Sequence, residues 1–225
     1  MNNIRSTGRW SAILATIFAI GYSVPQLLSV FKIIPHPQDL YWLFVPSLFL
    51  APAFLITMIC LDFSVPVNLK IWTTIGSAFA AIYCTMITIV YFTQLAVVLP
   101  VQIKGDIGNK DVLLFDRRTF LMAVDCLGYF FMSLSTLFAA NAFARDEKNK
   151  WLYRGLLWNG SLLPILILAF FKPAFYYAGA LWMIWFPIAM INAAKFFKHS
   201  GFRRDAPKTF HTDSIGYISS AGVVN

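Results

Sequence analysis

The chain has 225 residues, 59% hydrophobic and only 12% charged, whereas an ordinary soluble domain is roughly 25% charged. That balance excludes a water-soluble globule, and the length leaves room for one membrane domain without a sizeable soluble one. The formal net charge of +8 lies in loops and tails rather than along one helix face, so it reads as anchoring against anionic lipid and not as a nucleic-acid surface.

A membrane-crossing helix needs about 20 predominantly apolar residues, and six such runs follow one another. The first extends from Trp10 to Phe31 and ends at Lys32 and the Pro35-His36-Pro37 turn. Arg5 and Arg9 precede it, as in a signal peptide. The apolar run exceeds the roughly 7–15 residues of a signal core and no A-x-A site follows, so it is read as a span. The second runs from Tyr41 to Leu61, closed by Asp62 and Pro66, and the third from Ile71 to Leu99, closed by Pro100. A polar loop from Val101 to Arg118 leads to the fourth, Thr119 to Phe143, which the charged Arg145-Asp146-Glu147-Lys148 link terminates. The fifth is Leu152 to Phe171 and the sixth Phe175 to Phe196, joined by a tight hairpin at Lys172-Pro173. Long uninterrupted apolar runs favour helices, which satisfy their own backbone in lipid, over the short alternating segments of a barrel.

The expected fold is therefore all-α: an integral membrane bundle of six transmembrane helices over residues 1–197, then a polar tail, 198–225, expected to be disordered. With both termini cytoplasmic, twelve Lys and Arg fall on the inner side and six on the outer, including Arg117 and Arg118; basic residues concentrate inside. Gly76, Ala80 and Cys84 recur every four residues on span three, a small-residue stripe that lets backbones approach and offers a contact face for an oligomer. Pro25, Pro46, Pro52, Pro164 and Pro187 fall in spans one, two, five and six, where each is expected to kink its helix. Spans three and four lack proline and are expected to be straight. No internal repeat is evident.

Asp125 is the most informative residue. It lies about six residues into span four, roughly 9 Å along the helix from its outer end. A carboxylate at mid-span costs about 2.5–3.5 kcal/mol on insertion scales. It reads either as a proton-titrating group or ligand anchor, or as a structural carboxyl bonded to neighbours or reaching toward Arg117 and Arg118. Gln26 and Gln94 lie at similar depth on spans one and three. Each polar residue has a tyrosine one turn deeper: Tyr22 with Gln26, Tyr91 with Gln94, Tyr129 with Asp125. Spacings of three or four put each pair on one face. Converging, the three faces make an outward-facing polar pocket floored by tyrosines, with Trp182 and Trp185 as walls, in the pattern of small-molecule sites. The plainer reading is interfacial aromatics and interhelical hydrogen bonds.

Asn141, Asn159 and Asn192 read as helix-contact or cap residues, and Asp62 as a water-exposed helix end. His36, His199 and His211 are far apart in sequence, and Cys60, Cys84 and Cys126 have no C-x-x-C spacing, so no metal site, disulfide framework or cofactor is indicated. There is no phosphate-binding glycine loop, nucleophile elbow or H-E-x-x-H.

The stretch Tyr91-Phe92-Thr93-Gln94-Leu95, then Phe115-Asp116, then Asp125 to Leu134 and Leu137 to Ala140 resembles a group of small prokaryotic multi-span membrane proteins of uncharacterised activity. The resemblance covers spans three and four. It implies a multi-pass protein of a prokaryotic plasma membrane and carries no activity, cofactor or site residue with it.

The functional expectation is a protein that binds or carries a small or lipidic molecule in the outward-facing cavity. Two alternatives stand beside it. One is an intramembrane enzyme on a lipid or isoprenoid substrate with Asp125 as general acid, which needs a second positioned acid or base. The other is a structural or assembly subunit using the stripe on span three. The expected partners are the lipid bilayer and such a ligand, not nucleic acid.

Overall fold

The computed structural model describes residues 2–104, 113–116, 119–172, 175, 178 and 180–199. The expected tail beyond His199, Lys110, the Arg117-Arg118 pair and Pro173 lie outside them. Every regular element among the described residues is helical: α1 (Asn2–Val30), α2 (Asp39–Asp62), α3 (Lys70–Thr93), α4 (Leu99–Ile103), α5 (Phe120–Asn141), α6 (Lys150–Gly160), α7 (Leu163–Phe171) and α8 (Trp182–His199). Four helices are long and apolar enough to cross a membrane: Asn3–Val30, Asp39–Asp62, Val67–Ile103 and Phe120–Asn141. The remaining helices fall short by length or composition: α6 carries Lys150 and Arg154 and stops after 11 residues, and α8 carries Lys195 and Lys198 near its end.

Neighbouring helices pack in chain order, α1 on α2, α2 on α3, α3 on α5, α5 on α6 and α6 on α8, and α8 closes back on α1. Phe54 of α2 reaches across this ring to Phe186 of α8, with ring centroids 5.5 Å apart, and meets Tyr83 of α3 edge-on. The interior is thus filled with aromatic side chains.

Proline acts differently from site to site. Pro25, Pro46, Pro52 and Pro187 stay inside continuous helices. Pro164 does not: the expected fifth span is interrupted at Ser161-Leu162, and Pro164 begins α7. Proline lacks an N–H and its ring collides with the carbonyl four residues back, here that of Gly160. Pro100, expected to end span three, is instead accommodated. A π-helical turn over Gln94–Val98 joins α3 to α4; the wider turn relieves the same collision at Ala96 and carries the helix on to Ile103.

The small-residue stripe on α3 is used inside the chain. A Cβ at Gly76 would lie 2.8 Å from the Ser135 carbonyl oxygen and 3.2 Å from Ala139 Cβ on α5. Ala80 is fully buried. This face brings α3 against α5 and covers Gly76 and Ala80, while Cys84, the third member of the stripe, is half-buried.

Candidate functional site

The geometry brings most of the sequence-predicted polar residues into the ring interior. Asp125 on α5 is buried, with 6% of its surface exposed. The Tyr91 and Tyr129 hydroxyls lie 3.4 Å apart, a polar pair of phenols, and Tyr91 on α3 is close enough to Asp125 to interact with it electrostatically. Tyr22 on α1 donates to Gln26 Oε1 at 3.1 Å, the pairing expected from their spacing. The indole of Trp182 on α8 packs against Tyr129 at 5.0 Å and against Tyr22 at 5.3 Å between ring centroids. Four helices, α1, α3, α5 and α8, therefore supply the cluster, and the Asp125 carboxyl acts electrostatically on the phenols of Tyr22, Tyr83, Tyr91 and Tyr129.

Two expected members are elsewhere. Gln94 is buried, but its Nε2 donates to the Leu113 carbonyl at 2.7 Å, so the amide anchors the chain beyond α4 instead of facing Asp125. Trp185 stacks on Trp158 of α6 at 4.9 Å. The residue that sequence reasoning missed is Tyr83. It is fully buried, lies 5.9 Å from the Tyr129 ring, and its hydroxyl has no hydrogen-bond partner. The available signal was its position eight residues before Tyr91, on the same helix face.

At one end of the cluster Phe115 packs edge-on to Phe44 at 5.3 Å and lies 6.2 Å from the Tyr91 ring, beside the Gln94–Leu113 bond. Among the described residues, Phe115 thus covers the position of the expected pocket.

Its chemistry follows from the donor inventory. Asp125 Oδ1 and the Tyr83 hydroxyl are both buried without a partner, and such a group costs about 1–3 kcal/mol. An ionised carboxylate only accepts hydrogen bonds, and the aromatic faces around it attract cations. The arrangement suits a ligand offering an ammonium or hydroxyl donor on an apolar body. Among the described residues a second acid does not join it: Asp62 lies at the far end of α2, where Thr73 and Thr74 donate to it at 2.8 Å and Lys70 pairs with it at 3.9 Å. Among the weaker candidates, Asn159 donates to Thr136 at 3.1 Å, Asn192 to the Trp151 carbonyl at 3.0 Å, and Asn141 to carbonyls of its own helix. Among the described residues Cys60, Cys84 and Cys126 form no disulfide.

Comparison with known protein families, with curated proteins and with solved structures finds no match, so the resemblance in spans three and four rests on the quoted residues alone.

Proposed function

We propose that this chain is a multi-pass protein of a prokaryotic plasma membrane that binds or carries a small or lipidic molecule at Asp125. The observation that carries the reading is the Asp125 carboxyl. It is buried among phenols from two other helices, and its Oδ1 has no protein partner. Charged side chains inside membrane spans usually face the bundle interior and mark substrate or ion pathways. A donor on the ligand would satisfy Oδ1, Trp182 and Tyr129 would hold its apolar body, and passage would require the Leu113–Phe115 segment to move off Phe44 and Tyr91. Among the described residues no second acid stands beside Asp125 for the enzyme reading, and Gly76 of the stripe packs against α5, which favours the binding reading over the assembly one.

In the same reading α6 with α7 forms a fifth span and α8 ends a sixth, with both termini cytoplasmic. Supporting this, the Arg5 guanidinium donates to the Phe197 and Lys198 carbonyls at 3.3 and 3.2 Å, which joins the start of α1 to the end of α8. The basic residues concentrate at that end.

Native mass spectrometry of the protein purified from membranes tests the proposal. The wild type is expected to carry a discrete bound molecule that Asp125→Asn loses while unfolding at the same temperature. An empty wild type, or a mutant that keeps the molecule, sinks the assignment to Asp125.

A further inference from the structure

At the opposite end from Asp125, α1 and α8 enclose a groove of about 290 Å³. Arg9, Lys195 and Lys198 form its rim, and Ile13, Ile17 and Ile191 line its floor. Arg9, Ile13 and Ile17 are four residues apart and share one face of α1, so the lining passes from charge to hydrocarbon at about 6 Å per step. Thr16 does not interrupt the floor, because its hydroxyl donates to the Ala12 carbonyl of its own helix at 2.9 Å. The walls are fixed against each other: Gly8 sits so close to the Phe197 ring that a Cβ there would lie 2.5 Å away, and Arg5 bonds the end of α8. On its other side Lys195 also lines a hollow of about 410 Å³ with Lys148 and His199.

Among the described residues this positive charge has no compensating acid. The acids described at this end are engaged elsewhere: Asp62 by Thr73, Thr74 and Lys70, Asp146 by Asn149 and the Lys148 amide, and Glu147 by Lys150. None of them lines either hollow.

We infer that this groove binds an anionic diacyl phospholipid, its phosphate held by Arg9, Lys195 and Lys198 and one acyl chain laid along Ile13, Ile17 and Ile191. The site is distinct from the Asp125 cluster and does not depend on the reading of that cluster. A basic rim at a helix end, continuous with an apolar face running inward, matches the order of headgroup and tail in a bilayer leaflet.

The test is native mass spectrometry of the full chain in detergent with added palmitoyl-oleoyl phosphatidylglycerol, palmitoyl-oleoyl phosphatidylcholine or inorganic phosphate. Phosphatidylglycerol adducts are expected to exceed phosphatidylcholine adducts about tenfold or more. The triple change Arg9→Gln, Lys195→Gln, Lys198→Gln is expected to weaken phosphatidylglycerol binding by about a hundredfold, from roughly 1 kcal/mol per basic residue. Ile17→Asn, at a position 54% exposed and so outside the core, is expected to weaken it while the fold is kept, which covers a triple variant that does not fold. Asp125→Asn is expected to leave it unchanged. Equal binding of the two lipids, or phosphatidylglycerol binding that survives the cation changes, overturns the inference. So does full displacement by inorganic phosphate with no effect of Ile17→Asn, which would make this a free-anion site.

Discussion

Two carboxyl groups are buried near the same end of this bundle, and their surroundings differ. Asp39, 4% exposed at the start of α2, accepts from Ser29 on α1 and faces His36 Nδ1 at 3.2 Å, so that both oxygens are used. Asp125, 6% exposed in the ring interior, leaves Oδ1 bare. Asp39 also sits in the first turn of its helix, where the backbone dipole favours negative charge; Asp125 is more than a turn into α5. The first carboxyl staples the α1–α2 hairpin. The second is supported by the fold without being satisfied by it, which is the condition expected of a group kept for a ligand. Burial alone therefore does not separate a structural acid from a functional one; the count of partners does.

The sharpest way to break the comparison is Asp39→Ala. It removes the acceptor of the Ser29 hydroxyl, and a hydrogen bond to a charged group contributes about 1.5–3 kcal/mol, whereas the largely exposed His36 imidazole turns to water. A loss of about 2 kcal/mol is expected in unfolding measured in detergent, and an unchanged midpoint would remove Asp39 as a staple. Tyr91→Phe is next. It deletes the hydroxyl that pairs with Tyr129, for an expected loss of about 1 kcal/mol. Tyr83→Phe, by contrast, removes a buried hydroxyl that has no partner and is expected to hold or raise the unfolding midpoint. Lys32→Gly probes the hairpin from the backbone side. Lys32 has φ of 57° and closes α1 through Ile33 N–H to the Leu28 carbonyl and its own N–H to the Ser29 carbonyl. Glycine takes this left-handed position without the Cβ penalty, so a gain of about 1 kcal/mol is expected in the same unfolding assay. The smallest effect belongs to Asp125→Asn, expected to stay within about 0.5 kcal/mol because the change keeps the shape of the side chain and Oδ1 has no partner to lose. A large loss there would make Asp125 a structural group like Asp39.

Much of the site was legible along the chain. The Tyr22–Gln26 bond follows from helical spacing, and an acid inside an apolar run is conspicuous by its cost. Three features were not legible. Gln94 has the depth and spacing of a pocket residue, but its amide is taken by a carbonyl 19 residues away, and such a partner has no periodic signal. Trp185 lies one turn from Trp182 on α8, yet the ring geometry turns it toward Trp158 on α6. The two prolines Pro100 and Pro164 look alike in sequence. One is absorbed by a π-helical turn and the other breaks a helix, because what relieves the lost hydrogen bond is local geometry.

By itself, the sequence determined that the chain is helical, where most of its helices lie, and that Asp125 is exceptional. Those properties depend on hydropathy and spacing within a segment, which are local quantities. Only the tertiary structure decided which faces meet. It closed α8 on α1, packed Gly76 of the α3 stripe against α5, drew Tyr83 into the cluster, and covered one end of it with Phe115. Each of these is a contact between residues distant in sequence, selected by how whole helices pack rather than by any pattern within one of them.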